Sequence, residues 1–524
     1  MELVWILGDQ LLPEHPLLLK PEPGRSVALI ESFPRSRRLR YHQQKLTLLF
    51  AAMRHHGAAL ERSGHRVLYH RLEDPLPALP AAQAPAGADL PDCGAVLTAW
   101  IAAHGVKAIH LLEPNDFHTQ AALPALAKEL GVPIHTHPNP QFLLSRTDFL
   151  AWAKGRRSVV MEQHYRRMRK ELGVLMASDG TPLGGVWNTD ADNRQTRAQF
   201  RKARPVVPRL PEPAPDPVVR EVAEQVSRLF PDHPGRAADL WLPTTRAGAL
   251  AWLQRFVAER LAGFGPWEDL MVDQEPVLFH SVLSPLLNIG LLTPMECVRA
   301  AEESYAEGHA PLASVEGFIR QIVGWREFIH GMYWRHMPDY LQVNALEAHR
   351  PLPHWAYTGK TDMRCVARAI GDAIRLGYNH HIQRLMVLGN YFLLGGYAPR
   401  EVLRWYLEMY VDAYDWVMVP NVLGMVLYAD GGWFATKPYT AGPTYLDRMG
   451  DHCAQCRYNP RVRTGPEACP FQALYWDFQI RHAERFRGHP RMAMMVRQVD
   501  RMEEGLRDDY TREAEHFLQA QALP

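Results

Sequence analysis

Four of the six cysteines lie in the C-terminal third, with a spacing that suits a metal centre. Cys453 and Cys456 form a C-x-x-C pair, Cys469 follows with Pro470 directly after it, and Cys365 lies far upstream. Two thiolates three residues apart reach one centre from a single turn. Cys93 and Cys297 stand alone and read as ordinary buried or surface residues. A structural disulfide framework is not expected in a reducing compartment, which moves the weight to metal. Two kinds of centre stay open from the residues alone. Zinc is held by C-x-x-C knuckles, but usually by two of them, and here the other two cysteines are singletons. Cys followed by Pro is common after iron–sulfur ligands. His452 adjoins the pair, although four cysteines already complete a site.

Two further groups could do chemistry. His380 and His381 are adjacent in a helical stretch, about 100° apart, so they do not share one face. Imidazole suits proton donation near neutral pH; a pair of structural histidines is the alternative reading. Arg166, Arg167, Arg169 and Lys170 cluster on one helix, which is either a solvated face or a phosphate contact. The Gly-, Asp- and Asn-rich stretch Gly180–Arg194 reads as an exposed loop.

The elements that must position these groups fall into two regimes. Leu3–Leu7, Ser26–Glu31, Arg66–His70 and Ala108–Leu112 read as strands, and Gln43–Ser63 and Ala122–Leu130 as amphipathic helices. This alternation predicts a doubly wound parallel sheet over residues 1–135, with ligands beyond the carboxyl ends of its strands. Gly8-Asp9-Gln10-Leu11 follows the first strand at such a place. No G-x-G-x-x-G accompanies it, so a dinucleotide fingerprint is not supported. Residues 136–217 read as a connecting region that ends in the Pro-rich stretch Pro205–Pro217. From 218 to 524 the pattern is helical almost throughout, as in Ala247–Ala262, Val315–Trp334, Cys365–Leu376 and Pro399–Tyr410. The prediction is an α/β domain followed by a large all-α domain.

Bulk composition agrees with a globular, multi-domain chain: 524 residues, 47% hydrophobic and 22% charged. A net charge of +1 means that any nucleic-acid contact must come from a local basic face. The 14 tryptophans suit electron transfer or base stacking, and equally a helical core. No apolar run approaches a membrane span. The start, Met1–Gly8, lacks a basic leader and reads as a first strand, so a cytoplasmic protein is expected.

Several ordered motifs resemble the photolyase and cryptochrome family. Gly324-Trp325-Arg326-Glu327-Phe328 and His280-Ser281-Val282-Leu283-Ser284-Pro285 resemble its flavin-binding half, and the N-terminal sheet its antenna domain. The four cysteines, with Gly184–Asn188, Asn379–Met386, Ala429–Gly432 and Thr436–Tyr439, narrow the resemblance to the iron–sulfur bacterial cryptochromes and photolyases, also called prokaryotic (6-4) photolyases.

That resemblance implies FAD and a four-iron–four-sulfur cluster on Cys365, Cys453, Cys456 and Cys469. It implies light-driven repair of (6-4) lesions in UV-damaged DNA by a monomer. Trp267, His280, Ser281, Leu283 and Ser284 would contact the flavin's phosphates or sugar chain, and Trp325 and Arg326 its pyrophosphate. Arg384 and Asp412 would pair beside the flavin ring, and Asn421 would face it. Met418 stands where iron–sulfur members often carry a carboxylate. His381 would be the catalytic acid, supported by His380, and Asp269 would lie near the lesion and a divalent cation such as magnesium. Trp405, Tyr406 and Tyr357 would form the electron route, with Tyr357 where the family usually has Trp. The basic cluster, Trp187 and Tyr439 would face DNA. Gly8, Asp9 and Gln10 would border an antenna chromophore, 6,7-dimethyl-8-ribityllumazine in relatives. In the stretch Ser32-Phe33-Pro34-Arg35-Ser36-Arg37 arginine replaces the acid expected in that site, which leaves the lumazine, another chromophore or none as alternatives. A blue-light photoreceptor with the same cofactors is the nearest rival, and an iron–sulfur nucleic-acid-binding protein without flavin the more distant one.

Overall fold

The computed structural model describes residues 1–76, 91–156, 158–212 and 214–521. Five parallel strands form one sheet: β1 (Glu2–Trp5), β2 (Arg25–Ile30), β3 (Val67–His70), β4 (Ala108–Leu112) and β5 (Ile134–His137), in the order β3-β2-β1-β4-β5. The register pairs Val4 with Val27 on one side and with His110 on the other. The chain runs outward through β2 and β3, then crosses β1 to lay down β4 and β5. The switch point therefore opens between β1 and β4, where α/β sheets bind ligands.

Alternate residues of each strand enter different cores, as a period of two requires. Leu3, Trp5, Ala28 and Ile30 pack with Cys93, Val96, Leu97, Leu123 and Leu126 from helices Pro91–His104 and Phe117–Leu130. Val4, Ile6, Val27 and Leu29 face the other way. They join helix Gln43–Arg62 and the interior of the helical region in one continuous core. Both faces are covered, as the all-parallel sheet demands.

The four expected strands are present. β5 was not expected: its Ile-His-Thr-His sequence is short, with two histidines and one apolar side chain. It carries the sheet past the boundary expected at residue 135. The connecting region is also more ordered than a linker, since it holds helices Arg146–Ala153, Met161–Leu172 and Arg197–Ala203.

Beyond residue 216 the chain is helical. The expected single helix over Val315–Trp334 is three pieces in series: Leu312–Ile319, a π-helical segment Arg320–Arg326, and Glu327–His336. Two more π-helical segments follow, Gln383–Gly389 and Pro420–Val426. Each widened turn re-aims the side chains on it, and such turns concentrate at functional sites. Trp325 and Arg326, Arg384, and Asn421 sit on these three segments. Among the described residues no helix is long and apolar enough to cross a membrane.

Candidate functional site

The centre of the helical region is an ion pair. Arg384 donates to both carboxylate oxygens of Asp412, at 2.9 and 3.2 Å, and its Nε donates to the Asn379 carbonyl at 2.8 Å. The guanidinium lies 4.0 Å from the centre of the Tyr410 ring. Burial opposes its charge, but Asp412 outweighs this and raises the Arg384 pKa. Ser284 Oγ donates to the same carboxylate at 2.6 Å, and the Asn288 amide to the Asp412 carbonyl at 2.8 Å. Ser284, at the start of helix Ser284–Asn288, thus joins the Arg384–Asp412 pair from a third segment.

The segment leading to Ser284 is strained. Leu278 and Val282 have φ of 52° and 53°, left-handed values that a β-branched valine adopts at real cost. Between them lie His280 and Ser281, whose Oγ accepts from the Leu283 amide at 3.4 Å. Leu283 itself is buried. Trp267 packs on Phe200 in a satellite core that includes Phe279, next to His280.

His280 in turn meets the histidine pair. The rings of His280 and His380 stack at 4.6 Å and 8°, and His381 approaches His280 edge-on at 5.4 Å. The helix begins at His381, so His380 is non-helical, which corrects the expected helical pair. One expectation survives in altered form: His380 is buried and His381 is 49% exposed, yet both converge on His280. Burial pushes the His280 imidazole down to about 3 and that of His380 far below its ordinary value. His381 Nε2 lies 3.3 Å from Asp269 Oδ1. Burial works against the Asp269 charge, but the His381 contact and then Arg194 prevail and hold its carboxyl below the usual range.

Arg194 was missed from sequence. It closes the Gly180–Arg194 loop, reaching Glu268 at 3.1 Å, Asp190 at 3.2 Å and Asp269 at 3.8 Å. Thr189 and Asn193 anchor that loop on Glu316 and the Ala313 carbonyl. Arg491 and Arg194 both oppose the rise that burial gives the Tyr439 phenol, so Tyr439 borders the same region.

Trp325 and Arg326 sit on the first π-helical segment. Arg326 donates to Glu327 at 2.8 Å and lies 4.3 Å from the Phe142 ring centre and 5.3 Å from that of Trp416. Trp325 packs beside Phe434 at 6.0 Å. Met418 is buried, and the Asn421 amide bonds back to the Val417 carbonyl at 2.9 Å.

The aromatic residues form a connected array. Trp405 is fully buried, with its indole N–H on the Ala356 carbonyl at 2.8 Å. Its ring meets Tyr406 at 5.3 Å; Tyr406 meets Tyr410 at 5.5 Å; and Tyr410 carries Arg384. Tyr410 was missed; helical spacing from Tyr406 was the available signal. Half-buried Tyr357 turns its hydroxyl to Glu408 at 2.9 Å, and burial with that carboxylate raises its pKa to about 12.

The four cysteines come together from separate elements. Cys365 opens helix Arg364–Leu376, Cys453 lies in the turn His452–Gln455, Cys456 follows it, and Cys469 precedes helix Pro470–Arg481. Burial, and then the neighbouring sulfurs of Cys469, Cys453 and Cys456, push the Cys365 thiol well up. Among the described residues, ligand atoms close to within 4.8 Å of one another in only one group of three or more, His280, His380 and His381. His452 faces Asp273, at 3.8 Å.

The basic helix divides. Arg169 is buried and donates to the carbonyls of Val174, Leu175 and Trp187 at 3.2, 2.5 and 3.0 Å, so it is a structural residue and not a surface contact. Arg166 and Lys170 are exposed, and their charges lie 5.6 and 5.4 Å from the Trp187 ring centre. Arg167 pairs with Glu171 at 2.6 Å. Arg169→Ala is therefore expected to destabilise the fold by about 2–4 kcal/mol, read as a denaturation midpoint.

At the switch point of the sheet a cavity of about 160 Å³ is lined by Gly8, Asp9, Arg35, Lys45, Asn115 and Tyr414, among others. Burial raises Asp9 to about 6 and lowers Lys45 to about 7. Arg35 bonds Thr119 at 2.8 Å and lies 3.4 Å from Asp116. Gln10 does not line the cavity; it is buried against the Glu113 carbonyl at 2.8 Å.

A parallel-sheet domain joined to a helical domain, with a buried Arg–Asp pair beside a histidine group, defines the photolyase architecture. A family profile described as Deoxyribodipyrimidine photo-lyase-related protein matches residues 4–241. The chain is 41% identical over 520 residues to a (6-4) photolyase of Agrobacterium fabrum, covering 99% of each chain. The chain belongs to the photolyase and cryptochrome family. In fold it is similar to a class III photolyase from Agrobacterium tumefaciens, with TM-score 0.56, 16% identity and 99% and 98% of the two chains covered. It is equally similar to a Synechocystis sp. PCC6803 cryptochrome, with TM-score 0.56, 14% identity and 86% of each chain covered.

Proposed function

We propose that this chain is a light-driven (6-4) photolyase that returns (6-4) pyrimidine photoproducts in DNA to intact bases. The observation that carries the reading is the Arg384–Asp412–Ser284 cluster beside the His280–His380–His381–Asp269 group, linked through the Asn379 carbonyl, in a chain 41% identical to a (6-4) photolyase over 99% of its length. The family implies FAD, and the residues fit it. Nε of Arg326 is buried without a partner, and Ser284 and Arg384 offer donors for a polar cofactor. FAD supplies the electron that blue light delivers to the lesion.

The chain's own residues do the rest. Arg384 holds positive charge in the pocket, and Asp412 and Tyr410 keep it in place. His381 gives a proton to the group that moves back between the two bases, and Asp269 stabilises the protonated imidazole. Arg166 and Lys170, flanking Trp187, receive the DNA backbone, with Arg194 and Tyr439 nearer the histidines; the lesion enters the pocket flipped out of the duplex. Arg166→Ala and Lys170→Ala are each expected to lower the salt slope of DNA binding by about one, without loss of stability.

Trp405, Tyr406 and Tyr410 carry electrons inward. Trp405→Phe is expected to suppress light-driven flavin reduction, followed by absorbance, and unchanged kinetics would remove Trp405 from the path. The convergence of Cys453, Cys456 and Cys469 on Cys365 supports a four-iron–four-sulfur cluster. Its role is structural, because it ties Cys365 to the two C-terminal segments. Cys456→Ala is expected to give insoluble protein; a soluble, flavin-loaded variant with altered reduction would mean a redox role instead. The switch-point cavity takes an antenna chromophore, with Asp9, Arg35 and Asn115 as its polar partners.

Asp269 shares Arg194 with Glu268 and Asp190, so a divalent ion such as magnesium held there would have to displace that guanidinium.

The test is lesion-specific. UV-irradiated DNA incubated with the reduced protein under blue light should lose (6-4) lesions while its cyclobutane dimers persist. Intact flavin photochemistry without any loss would favour a photoreceptor.

A further inference from the structure

We infer that His280, His380 and His381 form a site for a late first-row divalent ion such as Zn²⁺, and that an ion there blocks the proposed repair. The inference rests on that reading only for its consequence, since the site itself follows from geometry.

One nitrogen of each of the three rings lies within 4.8 Å of the others. Two of the rings are almost wholly buried, His280 at 6% and His380 at 2% exposure. Within them, His280 Nε2 and His380 Nδ1 have no hydrogen-bond partner. A buried ring nitrogen without a partner is costly to keep unless something meets it. Asp269 supports the third ring, His381, at 3.3 Å, in the manner of a carboxylate that orients a ligating imidazole.

The donor set selects the metal. Three imidazoles suit Zn²⁺, Cu²⁺ or Ni²⁺, whereas Mg²⁺ requires oxygen ligands and gives up water reluctantly. Zn–N bonds of about 2.05 Å put ligand nitrogens about 3.4 Å apart. The rings must therefore close by at most about 1.4 Å. His381 can supply most of that movement, because it is half exposed and opens its helix. Coordination occupies the His381 nitrogen that would otherwise hold the transferable proton, so the ion and proton donation exclude each other.

The experiment uses the flavin-loaded full chain with its iron content verified before and after. Zn²⁺ is titrated against a fluorescent chelator. One tight site is expected, unaffected by a large excess of Mg²⁺ and weakened about tenfold or more in His381→Ala. His110→Ala serves as the control, because His110 and His137 form a separate imidazole pair 3.0 Å apart at the sheet edge. That variant should bind Zn²⁺ as the parent does. Cu²⁺ in the same site should show nitrogen hyperfine structure in its electron spin resonance, simplified in His381→Ala. Equal Zn²⁺ affinity in parent and His381→Ala, or a loss that follows His110→Ala, overturns the site. Repair measured in a chelator separates the two readings: zinc binding without repair leaves the site standing, and repair without zinc binding leaves only the repair.

Discussion

Replacing His381 with alanine is expected to lower the rate of (6-4) repair by about two to four orders of magnitude, the range over which a positioned acid acts. Flavin content and flavin photoreduction should stay at parental levels. The expectation follows from the contrast within the histidine group. His280 and His380 are buried, and burial keeps them neutral. His381 is half exposed toward the face that DNA would approach, and it alone touches a carboxylate. That carboxylate titrates below its ordinary 3.8, so it remains charged through the neutral range. The sign for stability follows. Asp269 stabilises the fold fully above the ordinary carboxylate range, and this contribution is lost as pH falls through the depressed folded value. Single-turnover repair of a lesion-containing oligonucleotide, with flavin absorbance measured in parallel, checks the prediction. Parental repair in His381→Ala would take the acid role away from this residue.

Asp412→Ala should have the largest effect on the folded protein, at about 3–5 kcal/mol, the range for breaking a buried ion pair from one side. Arg384 would keep its charge in the interior with only the Asn379 carbonyl as polar partner, and Ser284 Oγ would lose its acceptor. The same change should leave little or no bound flavin. Asp412→Asn keeps one acceptor for Ser284 and should fall between the two. A chemical denaturation midpoint and the flavin-to-protein ratio measure both consequences. A stable, flavin-loaded Asp412→Ala protein would show that Arg384 is not held as described.

Much of the architecture was legible because it is periodic. Strand–helix alternation pointed to the parallel sheet, and helical spacing to the rest. β5 escaped because His135 and His137 hide its apolar pattern. The four cysteines were legible as ligands, since thiol spacing carries its own chemistry. Whether they hold a cluster or zinc was not, because that depends on distances between segments remote in the chain. Arg384 and Asp412 could be paired only by resemblance, for nothing local joins residues so far apart. Arg194 was missed for the same reason. Arg169 misled because a basic run on a helix does not reveal which member turns inward. The three π-helical turns were equally hidden: they shift the register of Arg326, Arg384 and Asn421 by tertiary packing, and no sequence signal marks them.

The measurement closest to the central claim uses one defined oligonucleotide that carries a single thymine–thymine (6-4) lesion. Reduced, flavin-loaded protein is mixed with it and held in the dark or under blue light, and the products are separated and weighed by mass spectrometry and chromatography. The lesion and the two thymines have equal mass, so retention identifies the product. The account predicts conversion to the undamaged oligonucleotide in light and none in the dark. An unchanged lesion after illumination, with the flavin still photoactive, would contradict it.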